Sequence, residues 1–204
     1  MTESEWLTSI DPEAMLSYVL PWASERKLRL FACACCRRIW GLTKAERARY
    51  AVETSEHYAD GEASLKQLKA AYGDTTGISA AELAAGWAAK LGRMKAPRMA
   101  AQWAARATGN VRQERAAQAD LLRDVFGDCF APVVVQPSWL AWNDGTVRRL
   151  AAAIYADRTF EQMPILADAL EDAGCDNADI LNHCREPGEH VRGCWVVDLL
   201  LGME

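Results

Sequence analysis

Helix-start signals recur along the chain, and they constrain its fold more than any other feature. Thr2-Glu3-Ser4-Glu5 reads as a capping box before Trp6-Leu7. In such a box a hydroxyl and a side-chain carbonyl satisfy N–H groups that the first helical turn leaves orphaned. Asp11-Pro12-Glu13 places a cap and an N1 proline before Met15, Leu16, Tyr18 and Val19. Thr43-Lys44-Ala45-Glu46, Ser79-Ala80-Ala81-Glu82 and Thr159-Phe160-Glu161-Gln162 read as further boxes. Gly41, Gly73, Gly127, Gly174 and Gly202 read as stops. Alanine is abundant, and β-branched residues are scarce outside Val133-Val134-Val135. The pattern predicts an all-α fold, an irregular bundle of about nine helices with one Pro/Val-rich connector.

That connector spans 127–143, where Gly127, Pro132, three valines, Pro137 and two tryptophans interrupt the helical pattern. It divides the 204 residues into sub-lobes 1–126 and 144–204, and the second is small for an independent core. A single helical domain over 1–204 is therefore expected. Residues 73–77 and Ala96-Pro97 mark two further loops. Eight tryptophans imply dense packing or an interaction surface, since each ring needs a home and each N–H a partner.

Composition removes several function classes. A net charge of -5 argues against a dedicated nucleic-acid binder. The start Met1-Thr2-Glu3-Ser4-Glu5-Trp6 lacks the basic and apolar regions of a secretory signal, and the apolar runs are too short to span a bilayer. Seven cysteines then suggest reduced thiols in a cytoplasm. No Walker A loop, G-x-G-x-x-G, H-E-x-x-H, G-x-S-x-G or EF-hand loop occurs. With three histidines and no paired-carboxylate motif, the reading leans against an enzyme and assigns no catalytic residue.

Three segments carry groups that could do chemistry. In 28–42 the helical period puts Leu28, Phe31, Ala32, Cys35, Ile39 and Leu42 on one face, with Cys33 and Cys36 on its flank. Zinc sites usually set a C-x-x-C pair in a knuckle and not in mid-helix, so packing is favoured. In 90–115 the cations Lys90, Arg93, Lys95, Arg98, Arg106, Arg112 and Arg115 face the single acid Glu114. With Trp87 and Trp103 beside them they could track a phosphate backbone or dock on a protein, though a solvated basic face is the plainer reading.

The third segment gathers Cys175, His183, Cys184, His190 and Cys194 before the apolar end 196–201. Pro187-Gly188 separates a helix from about Ala178 and one expected from about His190. On that second helix His190, Cys194 and Asp198 would form one ridge at i, i+4 and i+8. Imidazole, thiolate and carboxylate are competent metal ligands, and His183, Cys184 and Cys175 are near in sequence. A buried structural role is the plainer alternative, with Asp198 neutralised by Arg29, Arg37, Arg185 or Arg192.

Several stretches carry a resemblance. They are 1–7 with Asp11-Pro12, 26–40 around Cys35-Cys36-Arg37-Arg38-Ile39-Trp40, 121–127, and 165–171 through Gly174-Cys175 to Pro187-Gly188 and 190–202. They resemble an uncharacterised family of bacterial proteins associated with planctomycetes, where paralogues are many. The resemblance covers both ends and leaves 61–110 largely unmatched. The family pattern often has an aliphatic residue at the position of Cys33, sometimes one at Cys184, and Asn-Pro-Phe in place of Asp128-Cys129-Phe130. That weakens all three cysteines as obligatory ligands. The resemblance implies a whole folded unit and brings no activity.

The expectation is a non-enzymatic cytoplasmic protein-interaction or scaffold module with an unidentified protein partner and no cofactor. The first alternative is a metalloprotein with a structural zinc site drawn from His190, Cys194, Asp198, His183 and Cys175. The second is a nucleic-acid-associated accessory protein using 90–115.

Overall fold

Short polar side chains set many of the helix starts. The computed structural model describes residues 1–73, 79–131 and 133–203, and every regular element among them is helical. Thr2 and Glu5 form the expected reciprocal box. Asp11 accepts from the N–H groups of Glu13 and Ala14, with Pro12 at N1. Ser79 accepts from Glu82. Ser24 and Asn177 cap two helices in the same way. Two expected boxes do not form. The Thr43 hydroxyl donates backwards to the Ile39 carbonyl, and the next helix starts at Glu46 without a side-chain cap. Thr159 precedes a 3-10 turn, Phe160–Gln162, and caps nothing.

The chain divides into two units, Met1–Arg123 and Asp124–Glu204. The first holds α1 (Glu3–Thr8), α2 (Pro12–Val19), α3 (Glu25–Arg38), α4 (Glu46–Ala59), α5 (Leu65–Gly73), α6 (Ala80–Ala89), α7 (Ala96–Thr108) and most of α8 (Val111–Phe126). α3 packs on α4, α6 and α7. With neighbours on several sides it buries an unbroken run, Leu28 to Cys36, so Cys33 and Cys36 are interior and not on a flank. Leu42, beyond the helix end, is exposed. The basic run 90–115 is not one helix: residues 90–95 precede α7, and Gly109, at φ 73°, ends α7 before α8 begins.

The second unit begins in the last turn of α8. It continues through α9 (Pro137–Ala141), a 3-10 turn (Trp142–Gly145), α10 (Thr146–Asp157), α11 (Met163–Asp172), α12 (Ala178–Arg185) and α13 (Trp195–Leu201). α10 touches α9, α11 and α13, and α12 touches α11 and α13. Their shared core includes Val147, Ile154, Met163, Leu166, Leu170, Ile180, Val196, Val197 and Leu200. The Pro/Val-rich stretch contributes Val133 and Val135 to the edge of that core and then turns into α9.

Thirteen α-helices among the described residues exceed the expected nine because several are of one or two turns. Of the expected loop 73–77, residues 74–77 lie outside the described residues, as does Pro132. Among the described residues no helix is long and apolar enough to cross a membrane.

Candidate metal centre

The most consequential departure from the sequence reading is where the last helix begins. α13 starts at Trp195, with Cys194 as its N-cap residue and Gly193 at φ 93° before it. His190 therefore sits on a loop, and the ridge His190, Cys194, Asp198 does not exist. The loop does something else. It folds so that Cys194 N–H donates to the Val191 carbonyl (2.9 Å), which brings His190 and Cys194 round to one side.

There they meet two residues from other elements. His183 stands in the last turn of α12, and Asp124 in the last turn of α8. His183 Nε2 lies 3.2 Å from Cys194 Sγ and 3.2 Å from Asp124 Oδ1. His190 Nδ1 lies 2.6 Å from the same Oδ1. The other carboxylate oxygen, Oδ2, accepts the Val191 N–H at 2.9 Å. One carboxylate oxygen, two imidazole nitrogens and one sulfur thus lie within 4.8 Å of one another. Asp124 and Cys194 are buried, and the His183 and His190 side chains are 18% and 9% exposed.

The surroundings hold these groups in place. The two imidazoles meet edge to face at 4.8 Å, and the Trp195 ring tilts against His183 at 5.2 Å. Gly127 (φ 65°) ends α8 directly against that indole. A Cβ there would fall 2.9 Å from Trp195 Cγ. The glycine meets both a backbone need and a close approach. It thereby lets α8 stop with Asp124 beside the histidines.

Electrostatics decide what each group is. Burial pushes the Asp124 carboxyl up, but hydrogen bonds from His183 and His190, with their charge, outweigh it and hold it below the usual value. Asp124 is therefore an anion. The Cys194 thiol is pushed well above its ordinary value, first by burial and then by the Asp124 charge. The backbone N–H groups of Val197 and Val196 offset only part of that. His190 Nε2 is buried without a hydrogen-bond partner among the described residues. Nδ1 is then the ring nitrogen engaged with Asp124, and Nε2 the one left without a hydrogen bond.

This arrangement is a poor nucleophile relay. In such a relay the acid orients the base through the ring nitrogen that faces away from the nucleophile. Here Asp124 and Cys194 approach the same nitrogen of His183. The thiol is also fully buried and protonated. As a donor set it is well suited to a metal. Zinc accepts carboxylate, imidazole and thiolate together in a four-coordinate shell, with donors about 2.0–2.3 Å from the ion. Val191 N–H already orients the carboxylate from behind, as partners outside a ligand shell do. The cluster can coordinate a metal ion.

Asp198 and Cys175, both named from the sequence, lie outside this cluster. Asp198 is buried on α13, and Cys175 and Cys184 pack in the core of the second unit. Of the arginines named as partners of Asp198, three are engaged elsewhere. Arg29 donates to Ser55 Oγ and the Ala88 carbonyl, Arg37 to Glu56, and Arg185 to Asp168 and Glu171. Arg192 lies 5.1 Å over the Tyr155 ring.

Asp124 was missed, although a signal for it exists. It is an acid set among Leu121, Leu122 and Val125, close to a helix C-terminus where a carboxylate opposes the dipole. Such a residue needs a cationic or hydrogen-bonding partner.

The cations of 90–115 are engaged in different ways. Arg93 donates to the Leu20 and Ala23 carbonyls at 2.7 Å each, and Arg115 pairs with Asp11 at 2.6 Å. Lys90 and Lys95 lie over Trp87, and Arg106 over Trp103. Arg98 donates to Ser17 Oγ, and Arg112 is exposed.

No family model, no curated protein and no solved structure matches this chain.

Proposed function

We propose that the second unit is a metal-binding module in which Asp124, His183, His190 and Cys194 hold a zinc ion in a structural role. The convergence of four chemically matched donor atoms within 4.8 Å carries this reading. Its burial supports a structural and not a catalytic ion, because four protein donors complete the shell and leave no position for water or substrate. None of the seven cysteines is in a disulfide, which fits a reducing, cytoplasmic setting in which a thiol stays available to a metal. Such an ion ties the last turn of α8, the loop 186–194 and α12 together while doing no chemistry of its own. The unit would then serve as a folded scaffold for a protein partner. The stretch 190–202 also carries the resemblance to the planctomycete paralogues, and membership of that family is part of the proposal.

Elemental analysis of the full chain, purified without chelator, tests it. About one equivalent of zinc is expected, with a fall in thermal stability on chelation that zinc alone reverses. Less than about 0.2 equivalents, together with no stabilisation on adding zinc, overturns the reading.

A further inference from the structure

We infer that a cleft in the first unit, between α2, α7 and α8, binds a small organic anion with an apolar body, a carboxylate above all. The cleft encloses about 280 Å³, at the small end for ligand sites. Its floor is apolar, with Leu16, Ala101 and Ala105 all buried. Three guanidiniums, those of Arg98, Arg106 and Arg115, stand on its walls.

The state of those guanidiniums carries the inference. Elsewhere in this unit Arg26, Arg37 and Arg38 are closed off by Asp60, Glu56 and Glu114. Arg98 and Arg106 have no carboxylate partner among the described residues. Arg98 donates only to the neutral Ser17 hydroxyl at 2.8 Å. Its Nε is shut from water without an acceptor, so the guanidinium keeps an unused donor. Arg106 is held on the Trp103 face at 4.7 Å, which fixes its plane and leaves its N–H edge for an anion. Arg115 is occupied by Asp11, and Glu13 is the one acid on the lining. Three positive charges against these two acids leave an excess of one, which a monoanion balances. A guanidinium fork matches a carboxylate, and the alanine and leucine floor takes the hydrocarbon attached to it.

Calorimetric titration of the full chain with octanoate, acetate and octanol separates the two halves of this recognition. Octanoate supplies both the anion and the chain, and each of the others supplies one. The expected result is saturable one-to-one binding of octanoate, at least about tenfold tighter than acetate or octanol, and a loss of about tenfold or more in Arg106→Gln. Arg106 is exposed, so this variant keeps the fold, which circular dichroism checks. Arg98→Gln should weaken octanoate similarly. Equal binding of octanoate and octanol, octanoate binding unchanged in Arg106→Gln, or no octanoate binding at millimolar concentration each overturns the inference. Zinc content is measured in every arm and is expected not to differ, since the cleft and the Asp124 cluster share no residue, so the outcome is distinguishable from failure of the metal reading.

Discussion

Two groups of buried cysteines stand in the two units, and they behave differently. In the first unit Cys33, Cys35 and Cys36 lie on α3 with no histidine among them, and Cys33 Sγ faces the Val52 carbonyl at 3.8 Å. The charge beside them, Glu56, is neutralised by Arg37 through two hydrogen bonds of 3.0 and 2.6 Å. In the second unit Cys194 is equally buried, but its neighbouring charge, Asp124, is met by two imidazoles. An arginine is always protonated and closes a carboxylate permanently, whereas an imidazole can give up its proton and leave the carboxylate free to ligate. The sulfur therefore does not distinguish a packed core from a metal seat. The partner of the adjacent carboxylate does.

The largest effect expected from breaking this contrast is in Asp124→Ala. It removes the shared acceptor of His183, His190 and the Val191 N–H, and should destabilise the protein by about 3–5 kcal/mol and abolish zinc binding. Glu56→Ala should cost less, about 1–3 kcal/mol, because Arg37 can turn to solvent, and should leave zinc content unchanged. Urea denaturation and elemental analysis read both. If the two variants lose zinc alike, the contrast fails.

Gly127→Ala comes next. The new methyl collides with Trp195 at an unfavourable φ, so a loss of about 1–3 kcal/mol is expected. Because Trp195 braces His183, zinc affinity should fall as well, measured by competition with a chelator of known affinity.

Alkaline pH sharpens the other side. Burial pushes the Cys33 thiol from 9.0 up to about 12, with Glu56 adding to the shift. An acid whose folded value is raised contributes stability that is complete below its unfolded value. It loses that stability as pH rises from about 9 towards 12, at about 1.4 kcal/mol per pH unit. Cys33→Val should therefore remove about 1 kcal/mol of the decline between pH 9 and 10, where the unfolded thiol is only part-way through its ionisation, read from urea midpoints. An unchanged slope would mean that the thiol ionises in place.

The smallest effect belongs to Cys36→Ala. Loss of a buried sulfur should cost about 1 kcal/mol and leave zinc binding intact. Cys194→Ala should abolish it. Elemental analysis of the pair is the most direct check that sulfur count alone means nothing here.

Helical character and many of the boundaries were written locally. The box at Thr2, the cap at Asp11 and the caps at Ser79 and Asn177 depend on residues two or three apart, where side chain and backbone necessarily meet. Local reading failed where a competing contact existed, as at Thr43, whose hydroxyl turns back to Ile39. It failed again at His190, where periodicity was extended through Gly193 into a loop.

The window that supplies His183, His190 and Cys194 was visible as composition, but its fourth member was not. Asp124 lies far upstream on another helix, and no spacing rule relates it to the other three. What the chain alone determined is that it is helical and that imidazole and thiol donors crowd near its end. Only the tertiary structure decided which of them converge, because an ion seat is set by where separate helices stop, and stopping points meet through packing and not through period.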